Sequence, residues 1–283
     1  MTQELQNKVD RAIKLIQSAS KIAMEHGQPI EVAYSGGKDS DVILELTKMA
    51  NVPFRAIYKN TTIDPPGTIK HARSMGAEMV RPKKTFFELI QKNGMPTAYM
   101  RFCCSFLKEY KILDYAIIGI RGEESAKRAK RYKEPEVCRV FSKTQKVRQY
   151  LPILDWTKQD VEEFIKERNI KCAPVYYDDK NKFHVERRLG CMCCPLQGRA
   201  QRIHSFEEYP NMVKAYIHAL KRFIVEHPNT SANKHFKNDV YAWFVHEVFY
   251  FGKNKEWNAL TNGLLPPPNF KEYLENYFKI KFE

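Results

Sequence analysis

Residues 30–49, IEVAYSGGKDSDVILELTKM, put an apolar run, two adjacent glycines and a helix-forming segment in immediate succession. Ile30–Tyr34 reads as a strand, and Val42, Ile43, Leu46 and Met49 recur at the spacing of a buried helix face. Between them, Gly36 and Gly37 allow a sharp bend with positive φ, and without side chains the main-chain N–H groups can approach an anion closely. The positive end of the helix that opens near Lys38 points at the same spot. A Gly-Gly bend can be a plain turn, but here Ser35, Lys38 and Ser40 add two hydroxyls and an ammonium, the donors a phosphate takes. Asp39 cannot bind phosphate and would cap the helix or hold Mg²⁺. A Walker A loop would need glycine where Val32 stands, and the pattern G-x-G-x-x-G does not fit.

Further strand-like runs at Phe54–Tyr58, Ala77–Val80 and Tyr115–Ile120 alternate with helical stretches, which is the pattern of an α/β fold. The expected architecture is a Rossmann-like parallel sheet flanked by helices. Residues 3–25 form an amphipathic helix, and Thr157 with Asp160 caps another that carries Val161, Phe164 and Ile165 on one face. After Cys194 the pattern becomes wholly helical. Ser205 and Glu208 read as a capping box that opens a helix through Val213, Tyr216, Ile217, Leu220 and Ile224. A second helix follows over Asp239–Phe251, and a short third after LLPPPNF. This divides the chain into a nucleotide-binding domain, 1–198, and a helical extension, 199–283. No run approaches the roughly 20 apolar residues of a membrane span, and MTQELQNK has no apolar signal core, so a cytoplasmic protein without a membrane partner is expected.

Forty-seven basic and 33 acidic residues leave a net charge of +14, which favours an anionic partner. Between Lys127 and Arg148 nine basic residues face only Glu134 and Glu136, with Tyr132 and Phe141 interleaved. That segment is either a solvated loop or a seat for a nucleic-acid backbone, with Arg128, Lys130, Arg131 and Lys133 as the anion-binding candidates. Arg121 and Thr62 follow strands and are expected at the carboxyl edge of the sheet, where open α/β folds bind ligands, so both are candidate nucleotide contacts.

All seven cysteines lie between Cys103 and Cys194. An odd number without an export signal argues against a disulfide framework. Cys103 and Cys104 are adjacent, and Cys191 and Cys194 form a C-x-x-C pair, so four thiolates could complete a zinc site or hold an iron–sulfur cluster. Adjacent cysteines span one ion's tetrahedral edge awkwardly and reach two corners of a cubane more readily. Cys138 and Cys172 read as small buried residues, and Cys193 as a bystander or a sulfur carrier. His184 and His204 read as ordinary histidines.

SGGKDS after a buried strand resembles the PP-loop of the ATP pyrophosphatases, whose relatives include ATP sulfurylase small subunits, tRNA-thiolating enzymes and the phosphoadenosine phosphosulfate reductase family. GIRGEES at 119–125, LPILDWTKQDVEEFI at 151–165 and GCMCCP at 190–195 are similar to segments of that family in the same order. The Cys-Cys…Cys-x-x-Cys pattern resembles its 4Fe-4S members. The resemblance implies an enzyme that binds an adenine nucleotide through Ser35, Gly36, Gly37, Lys38, Asp39 and Ser40, with Lys38, Asp39 and Ser40 catalytic. It implies that ATP with Mg²⁺ is split between its α and β phosphates to activate a substrate as an adenylate. It also implies a cluster on Cys103, Cys104, Cys191 and Cys194, with zinc as the alternative. A nucleic acid or nucleotide would be the acceptor and a sulfur-donor protein a partner. The family's reductases carry a catalytic cysteine in a C-terminal tail, whereas this chain ends LENYFKIKFE, with no cysteine in its last 89 residues. Sulfonucleotide reduction with an atypical tail is therefore the second reading, and a non-catalytic nucleotide- or nucleic-acid-binding module the third.

Overall fold

The computed structural model describes residues 1–282, which divide into two compact units. The first comprises Met1–Asn60, Asp64–Pro82 and Leu107–Gly190; the second comprises Thr61–Ile63, Lys83–Phe106 and Cys191–Glu283. The division is thus not a single cut along the chain near 198. The segment that carries Cys103 and Cys104 groups with the C-terminal helices.

The first unit is built on a six-stranded sheet: β1 (Ile30–Tyr34), β2 (Phe54–Lys59), β3 (Glu78–Val80), β4 (Tyr115–Ile117), β5 (Glu136–Val140) and β6 (Lys146–Tyr150), in the order β3-β2-β1-β4-β6-β5. All neighbours are parallel except β5, which pairs antiparallel with β6 at one edge. Val32 lies opposite Ala56 on one side and Ile117 on the other, so β1 is where the strand order reverses. The crevice outside the carboxyl end of such a strand is where open α/β sheets take their ligands. Helices Gln3–Glu25, Lys38–Met49 and Lys158–Glu167 bury Leu5, Val9, Ile16, Val42, Leu46 and Phe164 with Val32, Ile117, Tyr150 and Trp156 in one core. Thr157 and Asp160 do form the expected capping box.

Three local readings change. β4 ends at Ile117: the Ile118 N–H makes the last ladder bond, to the Tyr150 carbonyl, and the Ile120 N–H then folds back onto the Ile118 carbonyl, which frees Gly119 from the ladder. The basic stretch after residue 131 is not a loop throughout: it supplies the β5–β6 hairpin, where Glu136, Lys146 and Arg148 are exposed and Arg139 is half-buried. Ser205 lies inside the helix Arg199–Glu208, and Pro210 at the first position opens the next helix, Pro210–Glu226. Proline there loses nothing, since the first N–H groups of a helix lack intrahelical partners.

The second unit is helical, and its core is aromatic. Phe206, Tyr216 and Phe244 meet edge-on with ring centroids 5.0–5.9 Å apart. Phe86, on the helix Phe86–Asn93, packs against Tyr216 at 5.5 Å. No helix among the described residues is long and apolar enough to cross a membrane. Phe206 is fully buried and touches three rings, so Phe206→Ala should destabilise this unit by about 3–5 kcal/mol, read as a lower denaturant midpoint. An unchanged midpoint would contradict this description of the core.

Candidate functional site

The bend after β1 is shaped by what would collide with a side chain. Gly36 sits at φ +76°, and a Cβ there would lie 2.9 Å from Thr68 Cγ2. The helix that follows has no side-chain cap, because Gly37 occupies the cap position. Ser40 Oγ donates to the Gly37 carbonyl at 2.7 Å, and Ser35 Oγ donates to Ser40 Oγ at 3.2 Å. The Lys38 main-chain N–H donates to Tyr176 Oη at 3.1 Å. Its ammonium donates to the Arg187 carbonyl at 3.3 Å, lies 3.4 Å from Asp39 Oδ2 and sits over the Tyr176 ring. Burial lowers the Lys38 pKa; Asp39 opposes this, and Arg121 and Arg188 add repulsion.

Arg121 is 4% exposed and lines neither of the two cavities described next. Its Nε donates to Asp39 Oδ1 at 2.6 Å and its Nη1 to Glu123 Oε2 at 2.9 Å. It therefore orients Asp39, where the sequence suggested a direct nucleotide contact. Gly119 lets this happen: a Cβ there would stand 2.9 Å from the Asp39 carbonyl oxygen.

A cavity of about 330 Å³ opens on the bend, lined by Ser35, Gly37, Lys38, Asp39 and Ser40 together with Arg128, Tyr176 and Arg188. Burial and the neighbouring Arg188 hold the Arg128 guanidinium below its usual value. Three cationic side chains thus share one hollow with Asp39 and with Glu124, which pairs with Arg128, and burial penalises the charged state of Lys38 and Arg128. An anion bound among them would relieve that penalty. A second cavity, of about 280 Å³, shares Ala33, Ser35, Ile118 and Ile120 with the first and extends over the sheet face to Lys59, Tyr132, Arg139 and Phe141. Of the basic candidates only Arg128 lines a cavity; Lys130, Arg131 and Lys133 are exposed. Tyr176 and Arg188 were not foreseen, and only the Arg187-Arg188 doublet ahead of Gly190 offered a signal.

Residues 174–189 clamp this bend. Tyr176 Oη accepts the Leu189 N–H at 3.3 Å as well as that of Lys38, and Arg188 donates to the Glu124 carbonyl at 2.9 Å. The clamp's own loop is tied by His184, whose ring nitrogens lie 2.9 Å from Asp178 and from Glu186. His184 holds Asp178 at a pKa of about 2, and Asp178 raises that of His184 above its ordinary value. The Asp178 contribution is present above its unfolded value of about 3.9 and fades as pH falls toward 2. The His184 contribution is full below about 6.5 and is lost as pH rises through its raised folded value.

In the second unit, Cys103 is 7% exposed on the helix Phe102–Leu107. Its thiol is pushed up by Cys104 and by burial, with Cys194 and Cys191 adding to the effect, so the four expected ligands share one neighbourhood. The Cys191 thiol donates to Thr61 Oγ1 at 3.7 Å, and the Met192 N–H donates to the Ile63 carbonyl at 2.9 Å. Four thiols in one neighbourhood match in kind and number the donors that a zinc ion or an iron–sulfur cluster takes. Among the described residues no three His, Cys, Asp or Glu side chains are grouped for a single ion as they stand. Cys193 is fully buried at φ +54°, its N–H donating to Ser205 Oγ at 2.9 Å, and burial lifts its thiol to about 12. A thiol so protonated is a poor sulfur carrier. Cys172 is buried as expected, whereas Cys138 is exposed on the edge strand β5. Thr62 lies in this second unit, at φ +64°, and its Oγ1 accepts the Phe86 N–H at 2.8 Å. It opens a helix rather than lining the nucleotide crevice.

Residues 29–197 match the family model of the phosphoadenosine phosphosulfate reductase domain, and the chain belongs to that family. An uncharacterized protein of Methanocaldococcus jannaschii is 29% identical over 227 residues, 75% of this chain and 53% of the relative. The chain thus spans about half the length of that relative. Sulfate adenylyltransferase subunit 2 of Shewanella putrefaciens is 26% identical over 208 residues, 61% of this chain and 67% of the relative. The crystal structure of phosphoadenylyl-sulfate reductase from Candida auris, a phosphate complex, is similar at a TM-score of 0.43 with 16% identity, covering 68% of this chain and 96% of that one.

Two outcomes follow from the site. Gly119→Ala should push on the Asp39 carbonyl and weaken binding of inorganic tripolyphosphate roughly tenfold by calorimetry; unchanged affinity would show that the bend tolerates the methyl group. By NMR, His184 should titrate above 6.5 and Asp178→Asn should lower its midpoint. A midpoint at or below 6.5 in the unaltered protein would contradict the clamp.

Proposed function

We propose that the first unit binds ATP with its triphosphate on the bend and that the enzyme activates an acceptor by adenylation. The observation that carries this reading is the hollow in which Lys38, Arg128 and Arg188 meet beside Gly37. The adenosine would lie against Ala33, Ser35, Ile118 and Ile120, the wall shared by the two cavities. An acceptor oxygen then attacks the α-phosphorus, and pyrophosphate leaves with the bonding electrons. Lys38, Arg128 and Arg188 stabilise the charge that grows on the leaving group. Arg121 fixes the Asp39 carboxylate, which would hold Mg²⁺ beside the phosphates. Lys38 also favours ATP, because the family's reductases usually lack this lysine. A relative whose name denotes adenylyl transfer supports the same chemistry.

The acceptor we infer is a nucleic acid or nucleotide, and the second step a sulfur transfer that displaces AMP. The exposed Lys130, Arg131 and Lys133 beside the cavity-lining Arg128 favour a polyanionic acceptor. Cys103, Cys104, Cys191 and Cys194 would hold a 4Fe-4S cluster. A single zinc ion would need its sulfurs about 3.8 Å apart, given bonds of about 2.3 Å, whereas a cubane spreads its ligands farther. When bound, the cluster supplies redox and sulfur-handling chemistry, with a separate protein as sulfur donor.

Pyrophosphate release should require ATP, Mg²⁺ and a matching acceptor, tested with pooled tRNA, other RNA, DNA and small nucleotides. Lys38→Ala should slow it about 10²–10³-fold. Turnover unaffected by Lys38→Ala would overturn the assignment. Sulfite release from adenosine phosphosulfate without pyrophosphate formation would move the protein to the reductase reading.

A further inference from the structure

Arg202 is 5% exposed, yet its Nε and Nη2 have no hydrogen-bond partner. Its one recorded hydrogen bond runs from Nη1 to the Glu247 main-chain oxygen at 3.1 Å, and its guanidinium carbon lies 6.0 Å from the centre of the Phe206 ring. No carboxylate among the described residues forms an ion pair with it. A buried guanidinium left in this state is costly, and such groups call for an explanation at each occurrence.

Its surroundings supply one. Arg202 stands one turn before Ser205 on the helix Arg199–Glu208, so the two share a face, and Ser205 Oγ accepts the Cys193 N–H at 2.9 Å. That face therefore borders the turn that holds Cys191 and Cys194. Tyr216, whose ring packs on Phe206 at 5.3 Å, donates to the Cys193 carbonyl at 3.4 Å.

We propose that Arg202 is the buried countercharge of an anionic metal–thiolate centre on Cys103, Cys104, Cys191 and Cys194. The inference rests on the assignment of those four cysteines as ligands. Four thiolates outweigh the positive charge of either a zinc ion or an oxidised cubane, so the centre is anionic with either metal. Arg202 is a positioning residue: it touches no reacting atom and acts through the field it sets at the centre. Glu247, whose main-chain oxygen accepts from Arg202, is 8% exposed; its Oε1 lies 3.1 Å from His246 Nδ1 and its Oε2 lacks a partner, and under this proposal its negative charge opposes that field.

The test uses the full chain purified without oxygen, with metal content, loss of metal to a chelator and, for iron, midpoint potential as readouts. Arg202→Gln should lower metal affinity about 10–100-fold and shift the potential in the negative direction, while Glu247→Gln shifts both the opposite way. A merely structural role would not give shifts of opposite sign. A folded Arg202→Gln protein that keeps its metal and potential overturns the inference. Should that variant not fold, Glu247→Gln decides: tighter metal retention with a positive shift supports the proposal, and no change overturns it. Unaltered protein that holds no metal overturns the ligand assignment itself, and the countercharge with it.

Discussion

The gathering of positive charge around the bend after β1 governs the first unit. Lys38 is 4% exposed, and the half-buried Arg128 and the exposed Arg188 line the same hollow. Gathering cations around one crevice is unfavourable unless something negative joins them. The chain meets part of this demand itself. Asp39 lies between Lys38 and Arg121, Tyr176 offers its ring face to the ammonium and its phenolic oxygen to the Lys38 main-chain N–H, and the Arg187 carbonyl of the clamp accepts the ammonium. What remains is an excess of positive charge beside main-chain donors at a topological switch point, and that excess suits a polyphosphate.

The same geometry explains why two distant segments must be what they are. Gly119 yields space to the Asp39 main chain, so Arg121 two residues on can reach the Asp39 carboxylate. The segment after β4 therefore shapes the bend from below without entering the ligand space. The clamp shapes it from above through Tyr176 and Leu189, and the half-buried Asp178 and His184 with the exposed Glu186 keep its loop folded.

Much of this was legible in the residues alone. The order strand, Gly-Gly bend, helix identified β1 and its crevice, and the helices with three- and four-residue apolar spacing emerged as read. The β5–β6 hairpin was hidden because Arg139, Lys146 and Arg148 are interspersed among Val137, Val140 and Val147, so a charge run masked a strand pattern. The pairing of Arg121 with Asp39 was invisible because 82 residues separate them. Thr62 was misplaced for a related reason: sequence proximity to β2 suggested the sheet edge, but a left-handed backbone turns it into the other unit. The four cysteines were proposed as ligands from spacing and resemblance, whereas Arg202, a buried arginine in an amphipathic helix, looks in sequence like any surface cation.

Calorimetric titration with ATP and with AMP, each with Mg²⁺, tests the central claim most directly. The two nucleotides share the base, ribose and α-phosphate and differ in the two phosphates that the cationic hollow should hold. The account predicts that ATP binds at least tenfold more tightly and that the difference shrinks as salt rises. Equal affinities, independent of salt, would contradict it.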